Sequence, residues 1–227
     1  NMIKTLEDYH KKYNLSVSDP EKFWNDYSNQ FIWRKKATKI LDWNFESPDV
    51  KWFQDGSLNI TENIFERNQD KNKTAIVWEP NEPNDKEKSF TYGQLFEEVC
   101  RFANVLKKLG VKKGDRVIIY IPMIPEAAIS MLACARIGAI HSVVFAGFSA
   151  NSLSDRINDC EAKVVITSDG NFRGNKIVPV KAVVDEAVKS CPSVKSVLTV
   201  RRTSGYVEMM SGRDYWYHEE VKNVDDY

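Results

Sequence analysis

The sequence has little of what most catalytic and metal sites are built from. It holds three histidines, His10, His141 and His218, far apart along the chain, which make neither a metal set nor a triad at readable spacing. His141 falls within an apolar run and reads as a core histidine rather than a general base. Four cysteines, Cys100, Cys134, Cys160 and Cys191, include no C-x-x-C pair. They read as buried small hydrophobes, not as zinc ligands or a disulfide framework. No segment reaches the roughly 18 apolar residues of a membrane span, and the opening residues, NMIKTLEDYHKKYN, lack the apolar run of a secretory signal. A cytoplasmic protein without membrane contact is the expectation. Excess charge of one sign is missing as well: Lys+Arg and Asp+Glu each number 32, so the formal charge at pH 7 is zero. Such a chain has no overall field to draw it to nucleic acid, and any recognition of anions must be local. Neither a G-x-G-x-x-G, a G-x-S-x-G nor an H-E-x-x-H motif is found.

What is present divides near Ile60. Residues 1–59 are rich in tryptophan and charge without a long period, and predict an irregular arm that packs across a larger body. One short helix is expected there, capped by Ser18, followed by extended chain with turns through WNFESPDVKWFQDGSLN. Residues 60–227 alternate between helix and strand signals. ITENIFERN suits a short helix, TAIVWE a strand and NEPNDKEKS a polar loop. Thr91 and Gln94 form a capping box, with Leu95, Val99, Phe102 and Leu106 as the apolar stripe of the helix that follows. DRVIIYI, AIHSVVFA, AKVVITS and SVLTV then read as strands separated by helices that start at Pro125, after Ser149 and at VPVK. Apolar strands each separated by a helix predict an α/β fold, a mostly parallel sheet covered on both faces.

Parallel sheets bind ligands beyond the C-terminal ends of their strands. That rule selects two loops, VVFAGFSAN after the strand at 139–145 and SDGNFRGNK after the strand at 162–168. The second resembles a phosphate cradle, but Gly170-x-x-x-Gly174-x-Lys176 does not have P-loop spacing, and Ile177 stands where a hydroxyl would hold magnesium. Arg173 and Lys176 supply a fork of donors and a point charge, and Gly174 permits close backbone approach. On pattern alone, a solvated turn with idle charges is the favoured reading.

Taken together, KWFQDGSLN, PMIPEA, CARIGAIHS, VVFAGFS, VVITSDGNFRGNK and GRDYWYHE resemble, in order, segments of the AMP-forming acetyl-coenzyme A synthetases of the adenylate-forming superfamily. The resemblance runs nearly end to end. It implies a two-step reaction in which acetate attacks ATP, with magnesium, to give acetyl-adenylate and pyrophosphate, and the CoA thiol then displaces AMP. It also implies that both loops lie beside the 3′-phospho-ADP end of CoA. Arg173 and Lys176 would pair with phosphate, Gly174 and Asn175 would shape the turn, and Phe145, Ala146 and Gly147 would line the adenine side. Asn175 and Ala146 each replace a glycine of the family pattern, which raises the question of whether either position needs a left-handed backbone.

The resemblance places the family's Ser/Thr/Gly-rich phosphate loop, acyl pocket and adenylation lysine beyond Tyr227. The sequence therefore reads as the N-terminal third of such an enzyme, with no catalytic residue of its own and no turnover by itself. A stand-alone module binding CoA or nucleotide phosphate, or a structural or oligomerising domain, are the alternatives it leaves open.

Overall fold

The computed structural model describes residues 3–81 and 86–227. The chain divides into two compact units, one ending at Arg67 and one running from Asn68 to Tyr227.

The first unit has more regular structure than its sequence pattern suggests. It contains α1 (Leu6–Ser18), α2 (Pro20–Ser28), an antiparallel pair β1 (Leu41–Asn44) and β2 (Asp49–Trp52), and α3 (Ile60–Glu66). No residue of α1 is buried, so no core-facing stripe announces it. Its start is fixed locally instead: Thr5 Oγ1 accepts the Asp8 N–H and Asp8 Oδ2 accepts the Thr5 N–H, each at 3.1 Å. The expected cap of the second helix moves by one residue. Asp19, not Ser18, caps α2, accepting the Lys22 N–H at 3.0 Å, and Pro20 supplies the preset φ of a first helical position. Tryptophans of this unit find partners within it: Trp24 meets Trp52 edge-on at 5.9 Å, and the Trp33 indole donates to the Ser28 carbonyl at 2.8 Å.

The second unit begins with β3 (Thr74–Trp78) and β4 (Lys88–Thr91), paired antiparallel as a ribbon of their own. Of the polar loop expected between them, residues 82–85 lie outside the described residues. Then follow α4 (Tyr92–Lys108), β5 (Arg116–Ile119), α5 (Pro125–Ile137), β6 (Ile140–Val143), α6 (Ala150–Cys160), β7 (Val164–Ser168), β8 (Asn171–Arg173), β9 (Lys176–Val178), α7 (Val180–Val188), β10 (Ser196–Val200), β11 (Asp214–Trp216), α8 (Tyr217–Glu220) and a 3-10 turn at Val221–Asn223. The capping box of α4 forms as predicted, and Leu95, Val99, Phe102 and Leu106 are all buried. No helix among the described residues is long and apolar enough to cross a membrane.

Five strands make one parallel sheet in the order β11-β10-β7-β5-β6. β5 leads outward to β6, and the chain then returns across β5 to build β7, β10 and β11 on the other side. Right-handed crossovers in these two directions send their helices to opposite faces. Accordingly Ile118, Tyr120, Val165 and Val197 pack with Leu153 and Ile157 of α6 and Val180 and Val184 of α7. The alternate residues of the strands point to the other face, where α4 and α5 pack together.

Every residue of β7 and β10 is buried, as continuous apolar strands require. The expected cover on both faces does not extend to β6. It is an edge strand with Ile140 and Val143 exposed, and His141 on it is half-buried rather than in the core. The stretch after β10 adds β11 as a fifth strand.

Candidate functional site

β5 and β7 are neighbours whose onward connections leave for opposite faces, and the C-terminal edge between them is the topological switch point of the sheet. A cleft of about 740 Å³ opens at that edge. Its walls are residues 121–124 after β5, 143–147 from the end of β6 onward, 171–173 of β8, Val178 of β9, and Trp78 to Asn81, with Arg202 from the loop after β10. Both loops selected by the strand-end rule border this cleft.

The SDGNFRGNK loop is not irregular: β8 and β9 form a hairpin in which Arg173 pairs with Lys176 and Gly174-Asn175 is the two-residue turn. Gly174 takes φ +54°, the left-handed region that a first turn position of this kind favours in glycine. Asn175 does not have a positive φ, so asparagine in place of the expected glycine adds no backbone strain. Arg173 and Lys176 are exposed, and among the described residues neither side chain makes a hydrogen bond or ion pair. The two cations differ in position, since Arg173 lines the cleft whereas Gly174, Asn175 and Lys176 lie outside its walls.

On the opposite wall, Phe145 is 71% exposed and forms part of the cleft with Ala146 and Gly147. Ala146 has an ordinary φ and packs its methyl group against the core below. A Cβ added at Gly147 would meet the Phe145 ring, which is exposed and would have to swing aside. Tyr120 fixes the loop from beneath: its hydroxyl donates to the Phe148 carbonyl at 2.7 Å. Ser149 caps α6, accepting the Ser152 N–H at 3.3 Å. All seven residues selected from the sequence lie in these two loops, and four of them reach the cleft.

Three cleft residues had no place in the sequence reading. Trp78 ends β3, Phe172 precedes Arg173, and Arg202 is the second residue after β10. The strand-end rule applied to SVLTV would have found Arg202. Nothing local marks the two aromatic residues.

Burial pushes all four thiols up, Cys134 to about 12, so none is a thiolate nucleophile near neutral pH. Among the described residues no three His, Cys, Asp or Glu side chains converge on a metal site.

Comparison with known proteins bears on the whole chain. Residues 65–224 match the family model of the AMP-binding enzymes, and residues 9–64 match that of the acetyl-coenzyme A synthetase N-terminus. The acetyl-coenzyme A synthetase of Parvibaculum lavamentivorans is 53% identical over 226 residues, covering 98% of this chain and 35% of that protein. That of Bradyrhizobium diazoefficiens is 52% identical over 220 residues, covering 95% and 34%. Among solved structures, the acetoacetyl-CoA synthetase from Streptomyces lividans shares the fold with a TM-score of 0.82 at 24% identity, over 94% of this chain and 32% of that one. The chain spans about a third of the length of the curated relatives it matches. It belongs to the AMP-binding enzyme family and corresponds to the N-terminal part of an acetyl-coenzyme A synthetase.

Proposed function

We propose that this chain supplies the coenzyme A side of an acetate–CoA ligase. In the complete reaction ATP and acetate give acetyl-adenylate and pyrophosphate, after which the CoA thiol attacks the adenylate to give acetyl-CoA and AMP. Arg173 and Lys176 pair with phosphate of the 3′-phospho-ADP end, Gly174 and Asn175 form the turn that presents them, and Phe145, Ala146 and Gly147 line the adenine side. The observation that carries this reading is a pair of cations without protein partners among the described residues, beside a cleft at the switch point of the sheet. An arginine fork and a lysine suit a phosphate monoester, the first by geometry and the second as a point charge. Magnesium would accompany ATP, and no described residue of this chain is assigned to it. Substrates of this kind suit a cytoplasmic protein.

Titration with CoA and with 3′-dephospho-CoA tests the assignment. CoA should bind more tightly of the two, and Arg173→Glu should weaken CoA far more than Lys107→Glu on the exposed face of α4. Equal losses from the two substitutions, or no binding by the unaltered protein, would refute the assignment and favour a structural domain without ligand.

A further inference from the structure

Arg202 contacts two aromatic rings from different parts of the chain. Its guanidinium carbon lies 5.3 Å from the ring centre of Trp78 and 4.9 Å from that of Phe172, within range of cation–π attraction to both. Trp78 is anchored in turn, since its indole N–H donates to the Met123 carbonyl at 2.8 Å, in the segment after β5. Phe172 is the middle residue of β8, immediately before Arg173.

The main chain of Arg202 is held separately. Asp169, buried just past the end of β7, accepts the Arg202 N–H at 2.7 Å, the Thr203 N–H at 3.0 and 3.1 Å, and the Gly170 N–H at 2.8 Å. Gly170 completes the junction: a Cβ there would meet Ile177 Cγ2 and Thr203 Oγ1 at 3.0 Å. One carboxylate thus ties the base of the hairpin to the start of the next loop, and Arg202 reaches from that loop to the ring of Phe172.

A ribbon of three-residue strands is marginal without such support. From Phe172 to Ile177 every residue is exposed, so the ribbon has almost no core to hold its direction. We propose that Arg202 is a positioning residue: through Trp78 and Phe172 it fixes the β8–β9 hairpin against the sheet edge and so holds Arg173 at the wall of the cleft. The effect on ligand rests on the coenzyme A reading, whereas the effect on the hairpin does not.

Hydrogen exchange of the backbone amides from 171 to 178, without ligand, provides the first arm of the test. Arg202→Met keeps a long side chain but removes the cation, and should speed exchange of the hairpin about tenfold while leaving β7 and β10 protected. Phe172→Leu should do the same, and the double variant should add nothing. If Arg202→Met loses protection in β7 and β10, Phe172→Leu carries the same measurement with Arg202 intact. Titration with CoA is the second arm. A positioning residue weakens binding through Arg173, so Arg202→Met should cost affinity in the parent and none further in an Arg173→Met background. Unchanged hairpin exchange, or losses that add fully, would overturn the proposal, the second result making Arg202 a direct ligand contact. If the unaltered protein binds no CoA, the coenzyme A reading fails and hairpin exchange alone decides.

Discussion

Lys176 and Lys181 lie on either side of Pro179, and their surroundings are opposite. Lys176 sits at an exposed turn beside Arg173, with no partner among the described residues. Lys181 is fully buried, and its ammonium donates to both oxygens of Asp185 at 2.7 and 2.9 Å, to Asp214 Oδ2 at 2.8 Å and to the Glu208 carbonyl at 3.1 Å. Arg213 closes the network, reaching Asp185 at 2.6 Å and Asp214 at 2.5 and 2.8 Å. A cation removed from water has to bring its counter-charges with it, whereas one left in water can wait for an anion from outside. Identical chemistry thus holds α7 to β11 in one place and leaves an ammonium in solvent in the other. Residue type does not separate the two roles; burial does.

The contrast can be broken most severely at Asp214. Asp214→Ala leaves Lys181 and Arg213 short of a carboxylate in the buried network, and unfolding in denaturant should show a loss of about 3–5 kcal/mol with CoA affinity per folded molecule unchanged. Acid titration sharpens the point. Burial alone would raise the Asp214 carboxyl, but hydrogen bonds from Arg213 and Lys181 outweigh it and hold the group below its usual value of 3.8. A carboxyl depressed in the folded state contributes its full stability above the unfolded value, and loses it as pH falls from there through the folded value. Stability should therefore fall more steeply below about pH 4 in the parent than in Asp214→Ala.

At the open pair the pattern reverses. Arg173→Glu should lower CoA affinity roughly tenfold or more, as loss and inversion of a charge-assisted contact would, with the melting temperature nearly unchanged. Gly174→Ala comes next: a Cβ there meets nothing within 4 Å, but φ +54° disfavours it, so a stability loss of about 1 kcal/mol should appear without any steric clash. Asn175→Gly should do least, within about 0.5 kcal/mol, since Asn175 is already in an ordinary conformation. A large gain from Asn175→Gly would mean that the turn is strained after all.

These differences also mark what the sequence could disclose. α4 was legible because a capping box and an apolar stripe agree, and β5, β7 and β10 because their apolar runs suit strands buried on both faces, with Thr167, Ser168, Ser196 and Thr199 buried among them. α1 was not, since none of its residues is buried and its start is set locally by Thr5 and Asp8. β11 was hidden for another reason: the Asp214 side chain is fully buried, which is tolerated because Lys181, distant in sequence, meets it together with the adjacent Arg213. At the site, strand ends located both loops, and the family resemblance supplied a ligand. The contacts of Arg202 with Trp78 and Phe172 join residues far apart in sequence, where no spacing rule operates. Asn175 could be read as a departure from pattern, but only the backbone reveals that the turn places its positive φ one residue earlier.

The outer side of β6 carries a consequence for the protein in solution. Among the described residues no strand pairs with it there, and Ile140 and Val143 stand 56% and 58% exposed along it. Unsatisfied main-chain donors and acceptors beside branched apolar side chains are a template for growth by a second molecule. With a net charge of zero there is no long-range repulsion to keep molecules apart. The outer edge of β6 is therefore a place where a second molecule can add a strand at high concentration, and Ile140→Lys is a small change that would blunt it.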